Sequence, residues 1–179
     1  MEFVKTERFV HHIGVSNFSP SQLQDLLSSP NITESPEFHQ MEMHPYLHQN
    51  EFLQWHKDHA INVTAYSPLA NLNPTYDSPN DKDHGPPMLL ENKVLLEMAN
   101  RRGCTPAQVA LAWGMQRGTS VIPKSAHVDR IQENYGSLEC KLTFQDHDVI
   151  GELGHKALTR YNNPSKSWGV DLYDGLDGT

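Results

Sequence analysis

Four short apolar runs, each closing on polar residues and each followed by a helix signal, constrain this chain more than anything else in it. The runs are His12–Phe18, Phe38–His44, Ile61–Tyr66 and Ser120–Pro123. Helix signals stand between and after them. Ser19-Pro20 places an N-cap before a proline at the first helical position, ahead of Leu23, Leu26 and Leu27 on one stripe. A helix from about Asn50 to His59 follows the second run. Another runs from Glu91 to Arg102 and is terminated by Gly103. Thr105-Pro106-Ala107-Gln108 is a capping box for a helix that ends near Gly118. Helices over Val128–Tyr135 and, behind Thr143, over Gln145–His155 complete the series. Strands alternating with helices predict βαβ units, hence an α/β fold with a parallel sheet.

Length and charge narrow the class. The 179 residues suffice for one domain with a real core, read over 1–179. With 37% apolar and 20% charged residues the composition is that of a soluble globular chain. No apolar run approaches the roughly 18 residues of a membrane span, and the first residues lack a secretory h-region. The net charge of -8 argues against non-specific nucleic-acid binding. Cys104 and Cys140 lie far apart in the sequence and read as two separate thiols in a reduced, cytoplasmic setting. Residues 70–87, rich in proline and Asp/Asn, form a long loop that reads as a lid, a binding loop for a cofactor or substrate, or a disordered segment. Residues 156–179 read as an irregular tail.

In parallel α/β folds ligands bind beyond the carboxyl ends of the strands. Ser16, Asn17, Gln40 to His44, Tyr66, Ser67, Pro68, Lys124 and Ser125 fall there. Ser16, Asn17 and Gln40 suit a carboxamide, and Tyr66 suits a flat heterocycle. Lys124 and Ser125, just ahead of a helix N-terminus and followed by Arg130, suit a phosphate. Each also has a plain reading as a strand-end cap or solvated charge. Glu42 and His44 read either as an acid–base pair or as a strand-end Glu beside a satisfied His. The histidine pairs His44/His48 and His56/His59 lack the third ligand of a catalytic zinc site, so no metal is expected. Trp55 and Trp113 read as core. There is no GxGxxG, Walker A or nucleophile-elbow motif.

The segments IGVSNFS at 13–19, HQMEMHPY at 39–46, VTAYSPLA at 63–70, TPAQVALAW at 105–113 and VIPKSAHVDRIQEN at 121–134 together resemble the aldo-keto reductases, in family order and spacing. The tail from Tyr161 is similar to that of fungal glycerol and aldehyde reductases. The resemblance implies a (β/α)8 TIM barrel of which this chain carries roughly strands five to eight. It implies reduction of an aldehyde or ketone with NADPH. Ser16, Asn17 and Gln40 would then bind the nicotinamide carboxamide, with Tyr66 stacked on the ring. Ser67, Pro68 and Leu69 would lie along the pyrophosphate. Lys124, Ser125 and Arg130 would hold the 2′-phosphate, and Asn134 the adenine. His127 departs from the small hydroxyl residue common in the family.

The larger departure concerns the proton-donating machinery. The family's catalytic Asp, Tyr, Lys and His have no counterpart here, so the resemblance implies no catalytic residue in this chain and no activity by it alone. Four strands cannot close a barrel, so the isolated chain is expected to be unstable, to self-associate through exposed sheet edges, or to need a partner half. Its small-molecule carbonyl substrate would bind only in a completed barrel. Two rival readings are a non-catalytic NADP-binding or oligomerising module and an intact small doubly wound domain.

Overall fold

A computed structural model describes residues 1–70 and 86–163. Most of the 70–87 loop, and the tail beyond Asn163, lie outside the described residues. The chain divides into two compact units: Met1–Met41 with Gln49–Thr64, and Glu42–His48 with Ala65–Asn162. A four-stranded sheet, β1 (Gly14–Ser16), β2 (Phe38–Glu42), β3 (Asn62–Tyr66) and β4 (Ser120–Val121), has its strands side by side in sequence order. Sequential neighbours joined by helices are the arrangement expected of repeated βα units.

In the first unit β1 runs parallel to β2, with Gly14 opposite Phe38, Val15 opposite His39 and Ser16 opposite Gln40. Gly14 is needed by close approach, since a Cβ there would stand 2.6 Å from the Phe38 carbonyl oxygen. Along β2, Phe38 and Gln40 are exposed while His39 and Met41 are buried. Helix α1 (Glu2–Thr6) precedes β1, and α2 (Pro20–Ser28) follows it. Ser19 caps α2 as expected, and its own N–H donates in return to the Gln22 side-chain oxygen, which makes it a full capping box. Of the leucine stripe only Leu23 is fully buried. Helix α3 (Asn50–Asp58) buries Phe52, Leu53 and His56. Trp55 is half-buried and stacks on His59 with ring centroids 3.9 Å apart.

In the second unit the core forms around α5 (Pro106–Gln116), whose Val109 through Gly114 are all buried. The Thr105–Gln108 capping box forms as the sequence predicts, and Gly103 ends α4 (Lys93–Arg102) in the left-handed conformation at φ 66°. The helix predicted from Glu91 begins two residues later. Leu89–Glu91 is a short 3₁₀ turn, and Asn92 restarts the chain by accepting the Val94 N–H. Helix α7 (Phe144–Lys156) opens on a Thr143–Asp146 capping box. Buried Asp146 also takes ion pairs from Arg101 and Arg102 of α4. Burial works against that charge, but the Thr143 and arginine bonds hold the carboxyl down to about 2. The Ile122 N–H donates to the Ala65 carbonyl at 3.2 Å, tying the β4 end to β3.

Helix α6 (Val128–Tyr135) matches its predicted bounds and buries none of its residues. Val128, Ile131 and Tyr135, on successive turns, are all exposed. Among the described residues, no helix is long and apolar enough to cross a membrane.

The two cysteines correct the sequence reading. Cys104 and Cys140 are joined in a disulfide, with Cα atoms 6.0 Å apart. The 36 residues that separate them hid the pairing, because the turn after α4 and the turn before α7 are brought together by the packing of α5.

Candidate functional site

Asn17 ends β1 in the left-handed region at φ 58°. Asparagine is one of the few non-glycine residues that tolerates that region. Its N–H donates to the Gln40 carbonyl at 3.0 Å, extending the β1–β2 ladder one step past the Ser16–Gln40 pair. Ser16, the last residue of β1, and Gln40, the middle residue of β2, are exposed. Asn17 Oδ1 is buried and, among the described residues, has no hydrogen-bond partner. A buried acceptor without a donor costs roughly 1–3 kcal/mol, so its presence marks a place where a donor would be welcome. Of the three residues predicted to meet a carboxamide, Ser16 and Asn17 stand at the carboxyl end of β1, and Gln40, in the middle of β2 rather than at its end, is paired opposite Ser16.

Behind them stands a pair the sequence reading missed. His39, on the buried face of β2, lies with its Nδ1 2.7 Å from His56 Nε2 of α3. The sequence sets His56 beside His59 as a pair lacking a third metal ligand; its true partner is His39, across the unit. Only the period-2 alternation of β2, which sends His39 inward while Gln40 faces out, could have hinted at it.

Burial, with His56 adding to it, pushes the His39 imidazole down from 6.5 to about 3. Between those values the unfolded chain binds a proton that the folded unit excludes. The depressed pKa therefore contributes stability that is complete above the unfolded value and is lost as pH falls toward about 3. The loss is about 1.4 kcal/mol per pH unit for one proton. Urea unfolding at about pH 7.5 and about pH 5 should differ by about 2 kcal/mol from this group, and His39→Gln should remove that difference. An equal pH dependence in the variant would sink the assignment.

In the second unit Glu42 and His44 are both completely buried. His44 Nε2 lies 2.9 Å from a Glu42 oxygen, and the backbone N–H groups of Tyr161 and Asn162 each donate to the same carboxylate at 2.9 Å. Arg160 stands 3.9 Å away. Burial raises the Glu42 carboxyl, but the His44 bond and charge and the two N–H groups outweigh it, leaving the group below the usual carboxylate range. Strand alternation alone would put Glu42 on the exposed side with Phe38 and Gln40. In the structure it is buried because the segment Thr159–Asn162 lies over it, with the Thr159 N–H on the Tyr46 carbonyl. The front of the predicted irregular tail is therefore anchored. A carboxylate this fully engaged is a clamp for the chain rather than a free acid or base.

Tyr66 is half-buried at the end of β3, and its carbonyl accepts the Met43 N–H at 3.4 Å. Ser67 turns the chain at φ 46°, and its hydroxyl accepts from Asn162 Nδ2 at 3.1 Å. Pro68 is buried and Leu69 half-buried. Lys124 and Arg130 are exposed, and among the described residues neither forms an ion pair. Ser125 Oγ accepts the His127 N–H at 3.1 Å, just ahead of α6. Asn134 is half-buried, and its carbonyl accepts the Ser137 hydroxyl at 2.6 Å. Two cations beside an open helix start make an electrostatic setting suited to an anion.

The family model for the aldo/keto reductases matches residues 4–154. The chain is 44% identical over 171 residues to an uncharacterized oxidoreductase of Schizosaccharomyces pombe, covering 93% of this chain and 49% of that protein. It is 37% identical over 172 residues to a probable NAD(P)H-dependent D-xylose reductase of Arthroderma otae, covering 96% and 51%. It is 34% identical over 173 residues to an NADP-dependent D-sorbitol-6-phosphate dehydrogenase of Malus domestica, covering 97% and 53%. The chain spans about half the length of these curated relatives. With most of its length matched to one family model, and with relatives of this similarity, the chain belongs to the aldo/keto reductase family.

Proposed function

We propose that this chain supplies the cofactor-binding half of an NADPH-dependent carbonyl reductase barrel, corresponding to strands five to eight. The observation that carries the reading is the buried Asn17 Oδ1, without a partner among the described residues, at the carboxyl end of β1 where Ser16 pairs with Gln40 of β2. A primary carboxamide offers the N–H donor that this acceptor lacks. When bound, the nicotinamide would supply the hydride. This chain's own residues would orient it: Asn17, Ser16 and Gln40 at the carboxamide, Tyr66 against the ring face, and Ser67, Pro68 and Leu69 along the pyrophosphate. Lys124, Ser125 and Arg130 would hold the 2′-phosphate, and Asn134 the adenine. The exposed apolar residues of α6 fit a barrel whose remaining elements lie outside this chain.

The reading predicts cofactor choice. Lys124→Ala combined with Arg130→Ala removes two charge-assisted contacts that only a 2′-phosphate can make. NADPH affinity should fall by roughly 100-fold while NADH affinity changes little. Calorimetric titration checks it, and equal loss for both cofactors would remove the clamp. The second reading, a cofactor-binding or oligomerising module, rests on the unburied α6. NADPH-dependent aldehyde reduction by the pure chain separates the two. Binding without turnover favours the module or an incomplete enzyme, and turnover at the level of a full-length reductase refutes the expectation that this chain is inactive alone.

A further inference from the structure

The turn that presents Asn17 spends three successive N–H groups on three different partners. The Asn17 N–H goes to the Gln40 carbonyl, the Phe18 N–H to His39 Nε2 at 3.1 Å, and the Ser19 N–H to Gln22 Oε1 at 2.9 Å. The middle bond is unusual, since it needs a ring nitrogen with its lone pair exposed. That requirement fixes the protons of two histidines. With Nε2 accepting, His39 carries its proton on Nδ1 and donates it to His56 Nε2. His56 then carries its own proton on Nδ1, which donates to the Phe52 carbonyl at 2.6 Å. Every nitrogen in the series is satisfied with both rings neutral. A proton on His39 Nε2 would set donor against donor at Phe18.

We propose that His39, its tautomer set by His56, is a positioning residue that holds the Asn17 turn so that Oδ1 faces a carboxamide N–H of the nicotinamide. The inference rests on the cofactor reading above and adds to it the device that aims the acceptor. The left-handed backbone at Asn17, tolerated by asparagine but less favoured than its right-handed alternative, is held by its surroundings. The relay does this from the buried side. It ties the residue next to Asn17 to α3 through two rings, so rotating the turn would break the Phe18 bond and leave the His39 acceptor unmet.

The test uses the full chain and three ligands: NADP⁺, its 3-acetylpyridine analogue, in which a methyl replaces the amide nitrogen, and 2′,5′-ADP, which lacks the nicotinamide half. The wild type should bind NADP⁺ roughly 10-fold tighter than the analogue, the worth of one buried hydrogen bond. His39→Asn, which can imitate only Nδ1, should lose that preference and keep its 2′,5′-ADP affinity. His39→Gln, which can place an oxygen near the Nε2 position, should retain it. Loss of 2′,5′-ADP binding together with NADP⁺, or an undiminished preference in His39→Asn, overturns the positioning role. A wild type that binds 2′,5′-ADP but does not distinguish the two dinucleotides overturns it too, while leaving the phosphate clamp standing. A wild type that binds none of the three overturns the cofactor reading and this inference with it. Should His39→Asn fail to fold, the ring ¹⁵N shifts of the wild type decide: Nδ1–H tautomers on both rings support the relay, and an Nε2–H on His39 refutes it.

Discussion

Glu42→Ala should cost the chain about 3–5 kcal/mol of stability, the usual penalty for removing one partner of a buried ion pair. The magnitude follows from how many groups lean on one carboxylate. His44, the N–H groups of Tyr161 and Asn162, and the Arg160 guanidinium all face it, and the Glu42 side chain has no exposed surface. Alanine leaves those donors with a cavity where the acceptor stood, and each must find water or move. Because the Glu42 carboxyl is held below its ordinary range, its contribution is present above the unfolded carboxylate pKa and is lost as pH falls through the folded one. The gap between wild type and Glu42→Ala should therefore narrow in acid. Glu42→Gln keeps the volume and one acceptor, and should fall between the two. Urea midpoints followed by circular dichroism give all three values. A loss below about 1 kcal/mol for the alanine variant would mean that Thr159–Asn162 is held by something else.

The elements of this fold were legible where local chemistry decides them. Ser19, Thr105 and Thr143 each announce a helix start, because their hydroxyls satisfy an orphan N–H of the first turn. Gly103 announces a helix end because a left-handed residue is needed. The bounds of α6 were legible too, although His127 makes no side-chain cap and Gly136 stays right-handed. What local chemistry does not encode is which distant groups meet. Glu42 looked like a neighbour of Gln40 because strand alternation puts them on one side, yet a segment about 120 residues later covers it. His56 looked like a partner of His59 because three residues make one helical turn, yet His39 takes its Nε2. The sequence groups Ser16, Asn17 and Gln40 because parallel strands put their carboxyl ends side by side; Ser16 and Gln40 do pair, but Gln40 lies in the middle of β2. That the Asn17 acceptor has no donor among the described residues is a three-dimensional fact with no trace in the letters.

Reduction of Cys104–Cys140 should lower the unfolding free energy by about 4 kcal/mol, the chain-entropy value for a closed loop of this length. The bond spans 36 residues and encloses α5, β4 and α6, hence Lys124, Ser125, Arg130 and Asn134 as well. In the unfolded chain it keeps the ends of that stretch together, and reduction returns the lost freedom. Cys140 is almost fully buried and Cys104 only partly so, so a reductant should reach the bond from the Cys104 side. Thiol titration of the denatured, unreduced chain should find no free thiol, and dithiothreitol should release both. Urea unfolding with and without reductant then gives the energy, and Cys104→Ala should reproduce the reduced value without reductant. Two free thiols in the untreated chain would return the cysteines to the separated state that their spacing suggested. A paired chain whose midpoint ignores dithiothreitol would mean that α5 packing alone holds the loop ends together. That outcome is the less expected one, because packing acts only on the folded state, whereas the crosslink acts on the unfolded one.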